Sequence, residues 1–369
     1  MTRMVHFATQ ELKNIFSDPG RGIDLKYRWY RFKWIFAPRW FWVTRFPTHL
    51  DIEITSACNL RCIMCFQTLN PPKPGFMKME LFKKIVDEGA KKGLCSIKLN
   101  WRGEPLLHPK VIDMVKYAKK KGIIDVQFNT NGQLLDKKKA DGLIKAGLDR
   151  IIIASDGASK KTYEKIRRGG SYPKLLKNAD YLLKRKKKLG SKRPFVRVQM
   201  VITKENKHEV DKFIKYWTPK VNEVFANPEV EYRHNKPAAA NVQVVGRKPC
   251  SQLWHRMVIT YDGKAMMCCG DWRMKNIIGD ATKQSIHSIW HGKTLKRIRK
   301  LHKQLRHDLI PACKNCLELE GYQVEEDKQS KKEEKKKPKR KVKAKKSSKK
   351  KKVRKKKIRR KNKKKGKQR

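Results

Sequence analysis

Residues 145–155 read KAGLDRIIIAS, and the order of parts in them decides the fold. A basic helix end meets a glycine, and a β-branched run follows. Glycine suits the left-handed residue that closes a helix, and Ile151, Ile152 and Ile153 suit a strand covered on both faces. The same order recurs at 91–101 (KKGLCSIKLNW), 120–129 (KKGIIDVQFN) and 188–202 (KLGSKRPFVRVQMVI). With a strand expected at Leu50–Thr55 ahead of them, these are successive βα units. Such units build a parallel sheet with right-handed crossovers, here a full or partial barrel of the α/β class. Reactive groups in barrels of this kind collect beyond the C-terminal ends of the strands.

Outward from this core the pattern changes on both sides. Over Lys26–Phe46 ten residues are aromatic, among them Trp29, Trp34, Trp40 and Trp42, and Arg28, Arg31, Lys33, Arg39 and Arg45 interrupt them. Two readings stand: a helix lying in a lipid headgroup layer, or rings covering one end of the barrel. After about residue 246, strand-like Met257–Tyr261 and Lys264–Met267 flank Asp262-Gly263, a hairpin signal, and a helical stretch follows near Ser285–Leu305. The chain therefore divides into an aromatic and basic extension (1–47), a barrel (48–245), a small second domain (246–322) and a tail (323–369). From Lys328 to Arg369 there are 28 Lys or Arg against two Glu, with almost nothing apolar to offset ordering, so the tail reads as disordered. The whole chain carries a formal charge of +59, which favours anionic partners such as nucleic acid, nucleotides or an anionic membrane, or else only a solvated lysine-rich surface. No run of about 18 apolar residues is present to span a bilayer. The N-terminus shows no leader pattern, so a cytoplasmic location with reduced thiols is expected.

Seven of the nine cysteines fall into metal-like spacings. Cys58, Cys62 and Cys65 lie in CNLRCIMC, directly after the first expected strand. Three thiolates on one short loop hold a four-iron cube and leave one iron open to a small molecule; the competing reading is zinc with a distant fourth ligand. The loop resembles that of the radical S-adenosylmethionine (SAM) superfamily, and later strand ends agree. Trp101-Arg102-Gly103-Glu104-Pro105 looks like that family's GGEP motif, which contacts the methionine amino group. Asn129 ends the third strand, and Ser155 and Asp156 end the fourth, in the segment that faces ribose and carboxylate in the family. Gln199, in Val198-Gln199-Met200, would lie beside the adenine, and Asn206 also fits the family pattern. Arg102 stands where the family has its first glycine, and Met64 where an aromatic commonly precedes the last cysteine.

The resemblance implies a partial (βα)6-type TIM barrel, a [4Fe–4S] cluster on Cys58, Cys62 and Cys65, and SAM bound through Gly103, Glu104, Pro105, Asn129, Ser155, Asp156 and Gln199. It further implies reductive cleavage of SAM to a 5′-deoxyadenosyl radical, with flavodoxin or ferredoxin as electron donor. Cys250, followed by Gly263, Cys268 and the CKNC pair Cys313 and Cys316, is similar to the SPASM or twitch extensions of such enzymes. Only four suitable cysteines are present, which implies one auxiliary [4Fe–4S] cluster. Cys269 could replace Cys268, and a four-cysteine zinc site has the same sulfur count. Cys95 reads as a small buried residue. His255, His287, His291, His302 and His307 follow no ligand spacing and read as surface or core.

Three functions follow. The first is radical oxidation or modification of a sugar, alcohol or peptide. The second is radical modification of RNA or of a nucleotide-linked substrate. The third, from another class, is a zinc-bearing nucleic-acid binder without catalysis.

Overall fold

A computed structural model describes residues 24–228, 244–245, 248–314, 316 and 323–324. Six strands run parallel in chain order: β1 (His49–Ile52), β2 (Ser96–Lys98), β3 (Asp125–Thr130), β4 (Arg150–Ala154), β5 (Phe195–Ile202) and β6 (Glu223–Pro228). Amphipathic helices connect them, including α2 (Met79–Lys92), α3 (Val111–Lys120), α4 (Lys137–Ala146) and α6 (Tyr172–Lys188), where α1 and α5 are Leu25–Arg39 and Lys160–Ile166. Gly93 and Gly147 close α2 and α4 with φ of 85° and 82°, the left-handed geometry the repeat demands. Among the described residues the sheet ends at two edges and does not close, so it is a partial barrel.

The region after residue 246 extends this sheet. β7 (Arg256–Ile259) pairs in parallel with β1, His49 opposite Arg256 and Ile52 opposite Ile259. β8 (Lys264–Met266) and β9 (Ile277–Asp280) follow antiparallel, and the expected turn at Asp262-Gly263 is present, with Gly263 at φ 91°. The expected helical stretch near Ser285–Leu305 forms as two helices, Ile286–Trp290 and Lys293–Lys303. Buried Met257, Ile259, Ala265 and Trp290 belong to one apolar core with Leu50, Ile97, Val126 and Ile151 of the barrel. The change of pattern near residue 246 is thus a change of topology inside a shared core.

α1 carries the aromatic segment and lies across the strand starts. Tyr27, Tyr30, Ile35 and Ala37 are buried. Trp34 stacks on His255 with ring centres 3.9 Å apart and meets His49 edge-on at 5.7 Å. The Arg150 guanidinium donates to the Tyr27 hydroxyl at 2.8 Å. One face of the segment therefore covers the barrel's N-terminal end. The other face is solvent-exposed at Trp29, Trp40, Phe41 and Trp42. No helix among the described residues is long and apolar enough to cross a membrane. Apart from residues 323–324, the basic tail lies outside the described residues.

Candidate active site

The cysteine loop leaves β1 through Glu53–Ala57 and is held from two sides. Arg61–Cys62 pairs antiparallel with Arg167–Arg168, and the Ile63 amide donates to the Ile166 carbonyl at 2.9 Å. Leu60, Cys62, Met64 and Ile166 form a small apolar cluster of their own. Met64, at the position where an aromatic was expected, thus packs into the loop's base. Burial pushes the Cys58 thiol up to about 11 and raises Cys62 as well. Thiols so placed stay protonated until a metal displaces the proton.

Glu104 sits at the end of β2, buried to 2% exposure. One of its oxygens accepts from the Thr130 hydroxyl at 2.7 Å and the Leu106 amide at 3.1 Å, the other from the Asn131 amide at 2.7 Å. Burial nonetheless raises its pKa, because those donors only partly replace water. Among the described residues no cation forms an ion pair with it. A buried carboxylate of this kind, on a cavity wall, suits an incoming ammonium group.

Arg102 explains how the departure from the family's glycine is accommodated. Its guanidinium clamps the buried Glu53 carboxylate at 2.6 and 2.8 Å and stacks on Trp101 at 4.5 Å. Gly103 is required for a different reason than ligand approach alone. At φ 72° it lies so close to the cysteine loop that a Cβ would come within 2.3 Å of the Thr55 carbonyl oxygen and 2.8 Å of that of Ala57. The Glu104 amide also donates to the Ala57 carbonyl at 2.8 Å. The glutamate turn and the cysteine loop are therefore one packed unit.

A cavity of about 430 Å³ opens at the C-terminal strand ends. Its wall brings together Cys58, Cys62, Cys65, Gly103, Glu104, Asn129 and Gln199, as the sequence motifs suggest. Pro105, Ser155 and Asp156 are not on that wall. Ser155 turns its hydroxyl to the Gly157 carbonyl at 3.3 Å. Asp156 is fully buried, paired with Arg167 at 2.7 Å and accepting from the Val201 amide at 2.8 Å, so its carboxylate braces the strand ends. Asn206 joins that brace by donating to the Asp156 carbonyl at 3.1 Å. The sequence reading missed Arg167 and Asn131, both on the wall; the asparagine was visible only as a neighbour within Asn129–Gly132.

In the second cysteine set Cys268 and Cys269 have different surroundings. Cys268 is pushed far up first by burial and then by the neighbouring thiols of Cys269, Cys250 and Cys313. Cys269 lines the main cavity beside Gly270 and Trp272, and its carbonyl accepts from the Trp101 indole at 2.8 Å. Cys316 follows Cys313 in a turn closed at 3.1 Å. His302, read from sequence as surface or core, is fully buried at this set. Its Nδ1 accepts from the Cys250 amide at 3.3 Å and its Nε2 lies 3.4 Å from Cys313 Sγ. Among the described residues no three His, Cys, Asp or Glu side chains converge on the position of one metal ion. Three thiols on one loop and four in the second set are donor sets of the kind that iron–sulfur clusters take.

Comparison with known proteins agrees with this geometry. Residues 52–216 match the radical SAM superfamily, and residues 250–317 match the SPASM iron–sulfur cluster-binding domain. The chain carries a radical SAM domain and a SPASM domain. These domains imply a [4Fe–4S] cluster with SAM and an auxiliary iron–sulfur cluster. It is 34% identical over 173 residues to the tungsten-containing aldehyde ferredoxin oxidoreductase cofactor-modifying protein of Pyrococcus furiosus, covering 46% of this chain and 47% of that one. It is 35% identical over 136 residues to a GTP 3′,8-cyclase of Chlorobaculum tepidum, covering 37% of this chain and 41% of that one. The chain thus matches less than half the length of these curated relatives. Streptococcus suis SuiB bound to its precursor peptide SuiA shares the fold at a TM-score of 0.58 with 15% identity, covering 81% of this chain and 78% of that one. BtrN in complex with AdoMet and 2-DOIA does so at 0.52 with 19% identity, covering 74% and 94%.

Proposed function

We propose that Cys58, Cys62 and Cys65 hold the SAM-binding cluster, and that Cys250, Cys268, Cys313 and Cys316 hold the auxiliary one. The observation that carries the reading is that the three loop cysteines and Glu104 share one cavity wall at the C-terminal strand ends. When bound, the cluster and SAM supply reductive C–S cleavage and a radical able to abstract hydrogen. The chain's own residues bind and orient. Glu104 accepts from the methionine ammonium, Asn129 and Gln199 offer amides to the nucleoside, and Met64 packs beneath the loop. Trp101, Gly270 and Trp272 line the cavity, and the two indoles would limit water there. Cys250, Cys268, Cys313 and Cys316 would hold an auxiliary cluster, which would supply an acceptor for an electron from a substrate radical, so a net oxidation of a sugar, alcohol or peptide carbon is the leading chemistry. Reducing equivalents would come from a flavodoxin or ferredoxin.

A second reading, an anionic or nucleotide-linked substrate, is favoured by the wall's charge. Lys98, Arg102, Arg167 and Arg256 line the cavity, the three arginines paired with Glu53, Asp156 and Asp51 in turn. Salt-dependent substrate binding separates it from a neutral sugar or peptide.

The test is anaerobic reconstitution, iron and sulfide counting, and detection of 5′-deoxyadenosine under reductant. Cys58→Ala, Cys62→Ala and Cys65→Ala should each abolish the nucleoside. Full release from any of them would overturn the assignment.

A further inference from the structure

We infer that the outer face of α1, with the turn after it, docks the enzyme on an anionic lipid bilayer. The face is a continuous ladder of rings. Trp29 stacks on Phe32 at 5.3 Å, Phe32 meets Phe36 at 4.5 Å, Phe36 stacks on Trp40 at 4.8 Å, and Trp42 returns to Trp29 at 6.4 Å. Trp29 is 53% exposed and Trp40 61%, although the opposite face of the same helix is buried on the barrel. Rings this large are left in water only at a cost, which a soluble surface ordinarily avoids.

Charge selects the occupant. From Leu25 to Leu50 there is no Asp or Glu, while Lys26, Arg28, Arg31, Lys33, Arg39 and Arg45 are all present. The Lys33 ammonium lies 5.9 Å from the Trp29 ring centre and the Arg39 guanidinium 5.8 Å from that of Phe36, so the cations rim the ladder. Tryptophans at headgroup depth with cations meeting anionic lipid is the composition of an interfacial helix, whereas protein interfaces deplete lysine and call for acidic complements. The 15-residue helix gives a contact line of about 22 Å, enough to lie flat and too short to span.

Orientation follows from the fold. The helix covers the strand starts, whereas the cysteine cavity opens at the strand ends. Docking therefore presents the catalytic mouth away from the lipid. The bilayer locates the enzyme, and substrate arrives from the aqueous side.

The test uses the full chain with phosphatidylcholine vesicles, with and without phosphatidylglycerol, and with brominated acyl chains. Binding should require phosphatidylglycerol, brominated chains should quench tryptophan emission, and binding should persist in salt that dissociates a purely electrostatic tail. Trp40→Ser with Trp42→Ser should weaken partitioning by roughly tenfold or more without lowering iron content or melting temperature. Lys26→Glu with Arg39→Glu, which spares every ring, should weaken it as well. Unquenched emission, or binding equal in wild type and the tryptophan variant and lost in salt, overturns the inference. So does a dimer sealed through this face that binds no vesicle.

Discussion

Glu53→Gln removes the charge that Arg102 was folded against. The two side chains are 0% and 6% exposed, and two short bonds join them, with the Tyr261 amide adding a third to the carboxylate at 3.3 Å. Breaking a buried pair from one side costs about 3–5 kcal/mol, because the surviving ion stays in a poorly solvating site. Glutamine keeps an acceptor oxygen, so the low end, about 3 kcal/mol, is expected. At about 2–4 °C per kcal/mol the melting midpoint should fall by about 6–12 °C. Since Gly103 packs on Thr55 and Ala57, loosening Arg102 should also misplace Glu104 and weaken SAM binding. Glu53→Leu with Arg102→Met should recover most of the stability, as an apolar pair of similar volume leaves no stranded ion. Anaerobic melting of reconstituted protein, with SAM binding measured alongside, decides it. A single variant within about 0.5 kcal/mol of wild type, or a double variant no better than the single, refutes the clamp.

Three further outcomes follow from the two sites. Cys268→Ser should lose about four irons per chain, while Cys269→Ser should retain them and alter turnover only, as read by iron counting. SAM affinity should fall as pH drops, and at a higher pH than an ordinary glutamate would dictate. Burial raises Glu104, and only its ionised form accepts from an ammonium; Glu104→Gln should bind weakly and lose this dependence in anaerobic dialysis. Because His302 Nδ1 accepts from a backbone amide, neutral His302 carries its proton on Nε2 and donates to Cys313. His302→Leu should lower the auxiliary cluster's midpoint potential in an EPR-monitored titration. His302→Gln, able to accept and donate, should restore part of it, and equal potentials in all three would exclude the hydrogen bond.

Local signals carried the barrel. Gly93 and Gly147 announced helix ends because only that conformation closes those turns cheaply, and Asp262-Gly263 announced the hairpin for the same reason. The strand-end motifs were legible because a parallel barrel gathers strand ends whatever its side chains are. What escaped depends on partners far apart in sequence. Nothing near Arg102 names Glu53, 49 positions away, and nothing near His302 names Cys250. Asp156 shows the converse, a local signal with a distant partner of its own. Its place in a family pattern suggested a ligand contact, yet Arg167 claims the carboxylate. The aromatic helix offered two readings because a composition has no faces until it is wound; once wound, it buries one side on the barrel and leaves the other exposed.

The segment Cys268–Met274 gives the two cysteine sets a common mechanics. The Cys268 thiol feels those of Cys269, Cys250 and Cys313, and Cys269 already lines the catalytic cavity. From there the Cys269 carbonyl holds the Trp101 indole at 2.8 Å, Trp272 stacks on Phe66 at 4.9 Å, and Met274 sulfur lies 3.5 Å from Arg102. Asp271 fixes the segment's end by accepting from the amides of Lys275 and Asn276 at 2.9 and 2.8 Å. These contacts grip the cysteine loop through Phe66 and the glutamate turn through Trp101 and Arg102. The auxiliary site and the cavity wall therefore share one packed segment. Loss of the auxiliary ligands should loosen SAM binding as well as remove an electron acceptor, although no auxiliary ligand need touch the cofactor.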